Sequence, residues 1–176
     1  FQLNAYNITN QGKRQLERKE TLFKSSSAAA NFVFPILDSS KKKLIGGHST
    51  DGLNKLISQI STEKKKLISK INKQLFNNKL NKYEQENFIK ENERNGITGS
   101  ILSLKYLRYF SIKFYKCINR LSKLVESNKG SGTAFIYSNL VKAGGMELFA
   151  EVLKVNGYLE YNENESQYNI NDNTID

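Results

Sequence analysis

A helix-rich α/β fold is predicted, and three observations predict it. Two long segments carry apolar residues at three- and four-residue steps, the signature of amphipathic helices. A β-type run, a short amphipathic helix and a second β-type run then follow within about 30 residues, the length of one βαβ unit. The chain has 176 residues and is 38% hydrophobic, enough for one modest core, or one domain with a helical appendage. The expected architecture is a mostly helical first three quarters followed by that single βαβ unit.

The elements follow in order. Residues 1–10 are polar with scattered aromatics, and Gln11 to Phe23 reads as a short charged helix anchored by Leu16, Leu22 and Phe23. After a small neutral stretch, Asn31-Phe32-Val33-Phe34-Pro35 forms an apolar block closed by the only proline. The residue before a proline is biased towards extended geometry, so the block reads as a strand or an extended plug. Residues 38–52, with their serines, lysines and glycines, read as a loop. Leu53, Leu56, Ile57, Ile60, Leu67, Ile68, Ile71 and Leu75 line one face of a long helix, which Ser49, Thr50 or Asp51 would cap. Lys64, Lys65, Lys66 and Lys70 interrupt that stripe or lie off it.

Residues 77–99 are rich in Asn, Lys and Glu, with Gly96 and Gly99 as breakers, and read as a weak helix or mobile insert. A second stripe runs through Ile101, Leu104, Leu107, Phe114, Cys117, Ile118, Leu121, Leu124 and Val125. Asn128 to Gly132 is a flexible break. Thr133 to Ser138 reads as a strand, Met146 to Asn156 as a helix stopped by Gly157, and Tyr158 to Tyr161 as the next strand. Residues 162–176 are acidic and Asn-rich and read as disordered.

Charge and cysteine usage narrow the function classes. The net charge is +10. Residues 1–142 hold a net +16 and residues 143–176 a net −6. A basic body of this kind attracts polyanions, nucleic acid above all; solvated helix faces in a lysine-rich protein are the plainer reading. Lysine (22 residues) and asparagine (21) dominate in the way an AT-rich genome produces. Cys117 is the only cysteine and His48 the only histidine, so neither a disulfide nor a zinc set is expected, and a reducing, cytoplasmic location fits. No apolar run approaches the length of a membrane span, and no membrane partner is expected. The chain opens on Phe1 with no signal-peptide pattern and reads as a processed or excised segment.

One loop carries chemistry. Ser138, Asn139, Lys142, Gly144 and Gly145 lie between the carboxyl end of a predicted strand and the amino end of a predicted helix. Ligands gather at that edge of parallel sheets, and a helix start favours phosphate through its unpaired N–H groups. Lys142 adds a charge, Ser138 and Asn139 add donors, and the two glycines permit close approach. An ordinary strand-to-helix connection has the same composition. No GxxxxGK[ST] phosphate loop is present anywhere in the chain.

Phe135-Ile136-Tyr137-Ser138-Asn139, then Gly144-Gly145, Leu148, Leu153 and Gly157-Tyr158 resemble motif IV of superfamily 2 helicases, which opens their second RecA-like domain. The wording is nearest to the DEAD/DEAH-like helicases of large cytoplasmic DNA viruses, related to the poxvirus nucleoside triphosphate phosphohydrolase and early transcription factor ATPase. Ser27 to Pro35 (SAAANFVFP) resembles a block written SRQASNFVFP in that family, and Tyr109 to Tyr115 (YFSIKFY) resembles its YSPKF segment. The three blocks keep the family's order, so the resemblance covers about residues 15–161. The family's arginine in the first block is Ser26 or Ser27 here, and the proline of YSPKF is Ile112. Walker A, DExH, Ser-Ala-Thr and the final arginine motif have no counterpart in the chain.

The resemblance implies a partial RecA-like second helicase domain with a long helical insertion. Residues 1–37 would lead into that domain and 38–99 would form a lysine-rich insertion. Residues 100–161 would begin the domain proper, and 162–176 would be a tail. It implies a fragment of an ATP-dependent helicase or translocase that binds a DNA or RNA backbone through Ser138, Asn139, Lys142, Gly144, Gly145 and Lys113. ATP and Mg²⁺ would belong to the longer parent, and this segment alone would not hydrolyse ATP. The rest of the parent and the viral transcription machinery are the implied partners, and a viral factory or virion the implied location. Two rivals stand beside it: a non-enzymatic basic helical module for nucleic acid or transcription scaffolding, and a decayed fragment without function.

Overall fold

A computed structural model describes residues 27–38, 40, 43–126, 133–162 and 167–169. The fold mixes helix and strand. A helical turn at residues 27–31 leads into a hairpin of β1 (Phe34–Asp38) and β2 (Lys43–Gly47). A long helix, α1 (Ser49–Phe76), and a short one, α2 (Lys82–Asn87), follow. A two-residue-per-strand hairpin, β3 (Lys90–Glu91) and β4 (Ile97–Thr98), connects to a 3₁₀ turn at Ser100–Leu102 and to α3 (Leu104–Leu107). The chain continues through α4 (Ile112–Glu126), α5 (Met146–Val155) and a last hairpin, β5 (Glu160–Asn162) and β6 (Gln167–Asn169). The expected helix at Gln11–Phe23 and the break at Asn128–Gly132 lie outside the described residues.

The first hairpin corrects the loop expected over 38–52. β1 and β2 pair antiparallel with Ile36 opposite Ile45 and Leu37 opposite Leu44. Pro35 is tolerated because the sheet has only two strands. Their outer edges are met by glutamine side chains from α1. The Leu37 N–H donates to Gln59 Oε1 (2.8 Å), and Gln59 Nε2 donates back to the Leu37 carbonyl (2.8 Å). The Leu44 N–H donates to Gln74 Oε1 (3.3 Å). These bonds give buried backbone groups the partners a third strand would otherwise supply.

Helix α1 buries Leu56, Leu67, Ile68, Ile71 and Phe76, most of them from the predicted stripe. It is kinked at Glu63 (φ −141°, ψ 34°), where the lysines interrupt the stripe. The Lys64 ammonium reaches the Glu86 carbonyl (3.2 Å). The expected caps are absent: the N-cap position is His48, without a side-chain cap, and Ser49 to Asp51 occupy the first turn. Asp51 still favours that end through the helix dipole. Asn77 ends the helix in the left-handed region (φ 50°), and the buried Asn72 amide receives the Leu80 N–H (3.0 Å) to turn the chain.

Residues 77–99 are built into the core. Asn81 and Glu84 form a capping box at the start of α2, and Phe88, Ile89 and Ile97 are fully buried. Phe88 meets Phe76 and Tyr106 edge to face (5.6 and 5.4 Å), which joins this stretch to the residues that follow 100. The second long stripe does not form one helix: it breaks after α3, and Leu124 and Val125 are exposed. Buried Ser111 makes the break, its Oγ accepting the Phe114 N–H (3.0 Å) in the manner of an N-cap.

The βαβ unit is also corrected. Residues 133–138 form no strand, and β5 pairs antiparallel with β6, so no parallel pair exists among the described residues. An apolar run suggests a strand, but it needs a neighbour to pair with. The hairpin partner β6 lies inside the stretch expected as a disordered tail. Helix α5 and its stop at Gly157 (φ 91°) match expectation.

Candidate nucleic-acid interface

The three sequence blocks that stand far apart in the chain meet at one joint. The Val33 N–H donates to the Phe110 carbonyl (3.0 Å). Ser111 Oγ donates to the buried Asn31 carbonyl, and Lys113 Nζ donates to Asn31 Oδ1 (2.8 Å). Phe32 packs on Phe34 (5.0 Å), Phe110 (6.2 Å) and Phe114 (6.5 Å). The third block closes over these rings: Phe149 meets Phe114 edge to face (5.0 Å), and a Cβ at Gly144 would lie 3.4 Å from the Phe32 Cβ.

The 138–145 loop is shaped by its own backbone. Ala143 (φ 43°) and Gly144 (φ 93°) both take left-handed conformations. The loop then folds back, and its carbonyls take up the first donors of α5. Gly145 N–H goes to Lys142 (3.0 Å), Met146 N–H to Leu140 (2.9 Å) and Glu147 N–H to Val141 (3.0 Å). A Cβ at Gly145 would run into the Leu140 carbonyl. So Gly144 and Gly145 serve loop closure and packing, and both are buried. The sequence-based picture of an open helix start is corrected for these three N–H groups, which already have partners.

The remaining groups of the loop face outward. Lys142 and Asn139 are exposed, and Lys142 has no salt-bridge partner among the described residues. Ser138 is half-buried, and its Oγ accepts the Leu140 N–H (3.1 Å), which leaves its hydroxyl hydrogen available. Lys113 belongs to the aromatic joint through Asn31; among the described residues no hydrogen bond links it to the 138–145 loop. Beside the loop, Ala143, Gly144, Glu147, Glu151, Arg94 and Lys154 surround a space of about 40 Å³, room for water and not for a nucleotide.

The lysine-rich helix is only partly free. Lys66 pairs with Glu63 (3.0 Å), and burial, with Lys90 nearby, lowers the pKa of Lys64. Lys65 and Lys73 are exposed. Sequence reasoning missed Asn31, Ser111 and Glu84. Glu84 receives Lys105 Nζ (2.5 Å) and the Tyr106 hydroxyl (2.7 Å), and its own oxygen receives the Asn81 N–H (3.0 Å). Those bonds, the Lys105 ammonium first, pull its pKa down to about 2. The pattern Asn-x-x-Glu was the one signal that marked Glu84 as a capping residue. Cys117 packs half-buried against the core, away from any ligand set; among the described residues no three His, Cys, Asp or Glu side chains gather as metal ligands. No described helix is long and apolar enough to cross a membrane.

Two proteins of Acanthamoeba polyphaga mimivirus, each provisionally named an ATP-dependent RNA helicase, are similar to this chain. One is 38% identical over 161 residues, covering 88% of the chain and 14% of that protein. The other is 31% identical over 72 residues, covering 41% of the chain and 12% of that protein. The chain thus spans about one seventh of the longer match and less of the other. No protein-family model matches the chain, and no solved structure matches it.

Proposed function

We propose that this chain is a segment of an ATP-dependent helicase or translocase of a large DNA virus, and that it supplies a strand-binding part of the second RecA-like domain. The observation that carries this reading is the 38% identity across 88% of the chain to the mimivirus helicase-named protein. The convergence of Asn31–Pro35, Phe110–Phe114 and Gly144–Phe149 on one joint supports it, because the three blocks of the resemblance then belong to one structural unit. In this reading residues 133–138 join a sheet completed by other parts of the parent, and 38–99 are an insertion whose apolar face shares the core.

Lys142, Asn139 and the Ser138 hydroxyl hold phosphates of one nucleic-acid strand, contacts that position the strand without reading its sequence. Lys113 acts through Asn31, setting the joint beneath the loop. In this reading ATP and Mg²⁺ are held by the rest of the parent. The chain has no phosphate loop, and its described residues offer no metal-ligand cluster, so no step through ATP is assigned to it. Viral transcription machinery, and a cytoplasmic factory or virion as location, follow from the same reading.

The test is fluorescence anisotropy with short single- and double-stranded DNA and RNA across a salt series, with Lys142→Glu alongside. Binding that weakens with salt and falls about tenfold in the variant is expected. Salt-sensitive binding indifferent to Lys142 would favour the basic helical module, which the net +16 of residues 1–142 supports. Absence of binding at low salt would defeat strand contact by this segment.

A further inference from the structure

A second feature of the basic body has the chemistry of a binding site. The end of α1 and the turn that follows it form one wall of an open cleft of about 480 Å³, and α3 with its exit forms the other. Lys79, Lys105 and Arg108 line it, and no acidic residue does. Its apolar side is Leu75, Phe76 and Leu80, with Tyr109 half-exposed at the wall.

Tyr109 is held in place. Its ring meets Phe76 edge to face at 5.0 Å, and the Arg108 guanidinium lies 5.2 Å from its centroid. Lys105 is paired with the Glu84 carboxylate (2.5 Å), which is not among the residues that line the cleft. Lys79 and Arg108 are exposed and have no salt bridge among the described residues. Cations arranged around a fixed aromatic and an apolar floor suit a ligand with both phosphates and unpaired flat rings. A duplex hides its bases and would leave Tyr109 and the floor unused. A free phosphate would leave them unused as well.

We propose that this cleft binds single-stranded nucleic acid, with a base against the Tyr109–Arg108 wall and flanking phosphates on Lys79, Lys105 and Arg108. The inference rests on the nucleic-acid reading above and adds a binding surface distinct from the 138–145 loop. The test uses the 176-residue chain and a labelled oligo-dT strand of about twelve nucleotides, within the site sizes such grooves cover. An abasic strand of equal length, a duplex and a polyglutamate peptide serve as competitors. Lys79→Glu and Arg108→Glu are each expected to weaken oligo-dT binding about tenfold. Each should also make the log–log salt slope shallower by about 0.7 for every phosphate the variant no longer holds. Oligo-dT is expected to outcompete the abasic strand about tenfold, and Tyr109→Leu to narrow that margin.

The exposed-charge variants carry the test if Tyr109→Leu does not fold. Affinities within about twofold of wild type in both charge variants would overturn the proposal, because a held phosphate is worth more than that. Equal competition by the abasic strand, the duplex or polyglutamate would overturn it too. Weaker binding in Lys142→Glu but in neither cleft variant would overturn the cleft and leave the loop standing. Weaker binding in the cleft variants alone would support the cleft and remove the loop. A wild-type chain that binds no oligo-dT at low salt defeats both.

Discussion

Residues 31–35 (NFVFP) and 133–137 (TAFIY) are similar apolar runs with opposite fates. Phe32, Val33 and Phe34 are fully buried, whereas Phe135 is 92% exposed and Tyr137 80%. Ile136 alone of the second run's large side chains packs against the core. The first run has a complete set of neighbours: β2 on one edge, α1 above it, and Phe110, Phe114 and Gly144 around its rings. The second has a loop on one side and no strand beside it among the described residues. Apolar content therefore marks a segment that gains by burial, and the presence of a partner surface decides whether burial occurs.

The contrast is broken most forcefully at its buried end. Phe32→Ala empties the centre of the joint and is expected to cost about 3–5 kcal/mol, seen as a large fall in the urea midpoint. A change no bigger than that of a surface variant would show the joint to be loosely packed. Ser111→Ala comes next, at about 1–3 kcal/mol, since it takes a donor from the Asn31 carbonyl and the cap from the Phe114 N–H. Ser111→Thr should recover part of this if the hydroxyl is what matters.

A smaller effect is expected from acid. Glu84 titrates near 2 in the folded chain against an ordinary value of 4.5, so its native partners favour the ionised form. Its contribution is complete above the ordinary value and is lost as the pH falls through the interval towards about 2. Urea midpoints of the wild type should therefore drop more steeply with acid than those of Glu84→Gln, and parallel curves would remove the role assigned to the Lys105 and Tyr106 bonds. Smallest of all, Phe135→Ser and Tyr137→Ser should each shift stability by less than about 0.5 kcal/mol in this chain. A shift of core size would mean that the run is covered in solution and that the comparison fails.

Much of the helical framework was legible because its signals are local. The α1 stripe, the α5 helix and the Gly157 stop follow from spacing within a few turns. The charge asymmetry and the candidate loop Ser138–Gly145 were readable in the same way. The break at Ser111 was not, since a serine in an apolar stripe looks like a tolerated helix residue until Asn31 comes to meet it. The hairpin over 34–47 was hidden because its turn residues resemble a loop and its edges are satisfied by Gln59 and Gln74 from far along the chain. At the loop, the glycines suggested room for a ligand, and the fold used that room for the Leu140 carbonyl, the Phe32 Cβ and the Phe34 ring.

Amphipathic segments and the accumulation of positive charge can be read from the chain alone, because each is a property of composition or short-range periodicity; the three blocks are legible only through their resemblance, in wording and order, to a known motif set. Folding was needed to bring those blocks into a shared joint, to occupy the first N–H groups of α5, and to line one cleft with Lys79, Lys105, Arg108 and Tyr109. Each of the long-range outcomes depends on residues dozens of positions apart reaching hydrogen-bond or van der Waals distance, and pairwise geometry of that range is absent from any local pattern.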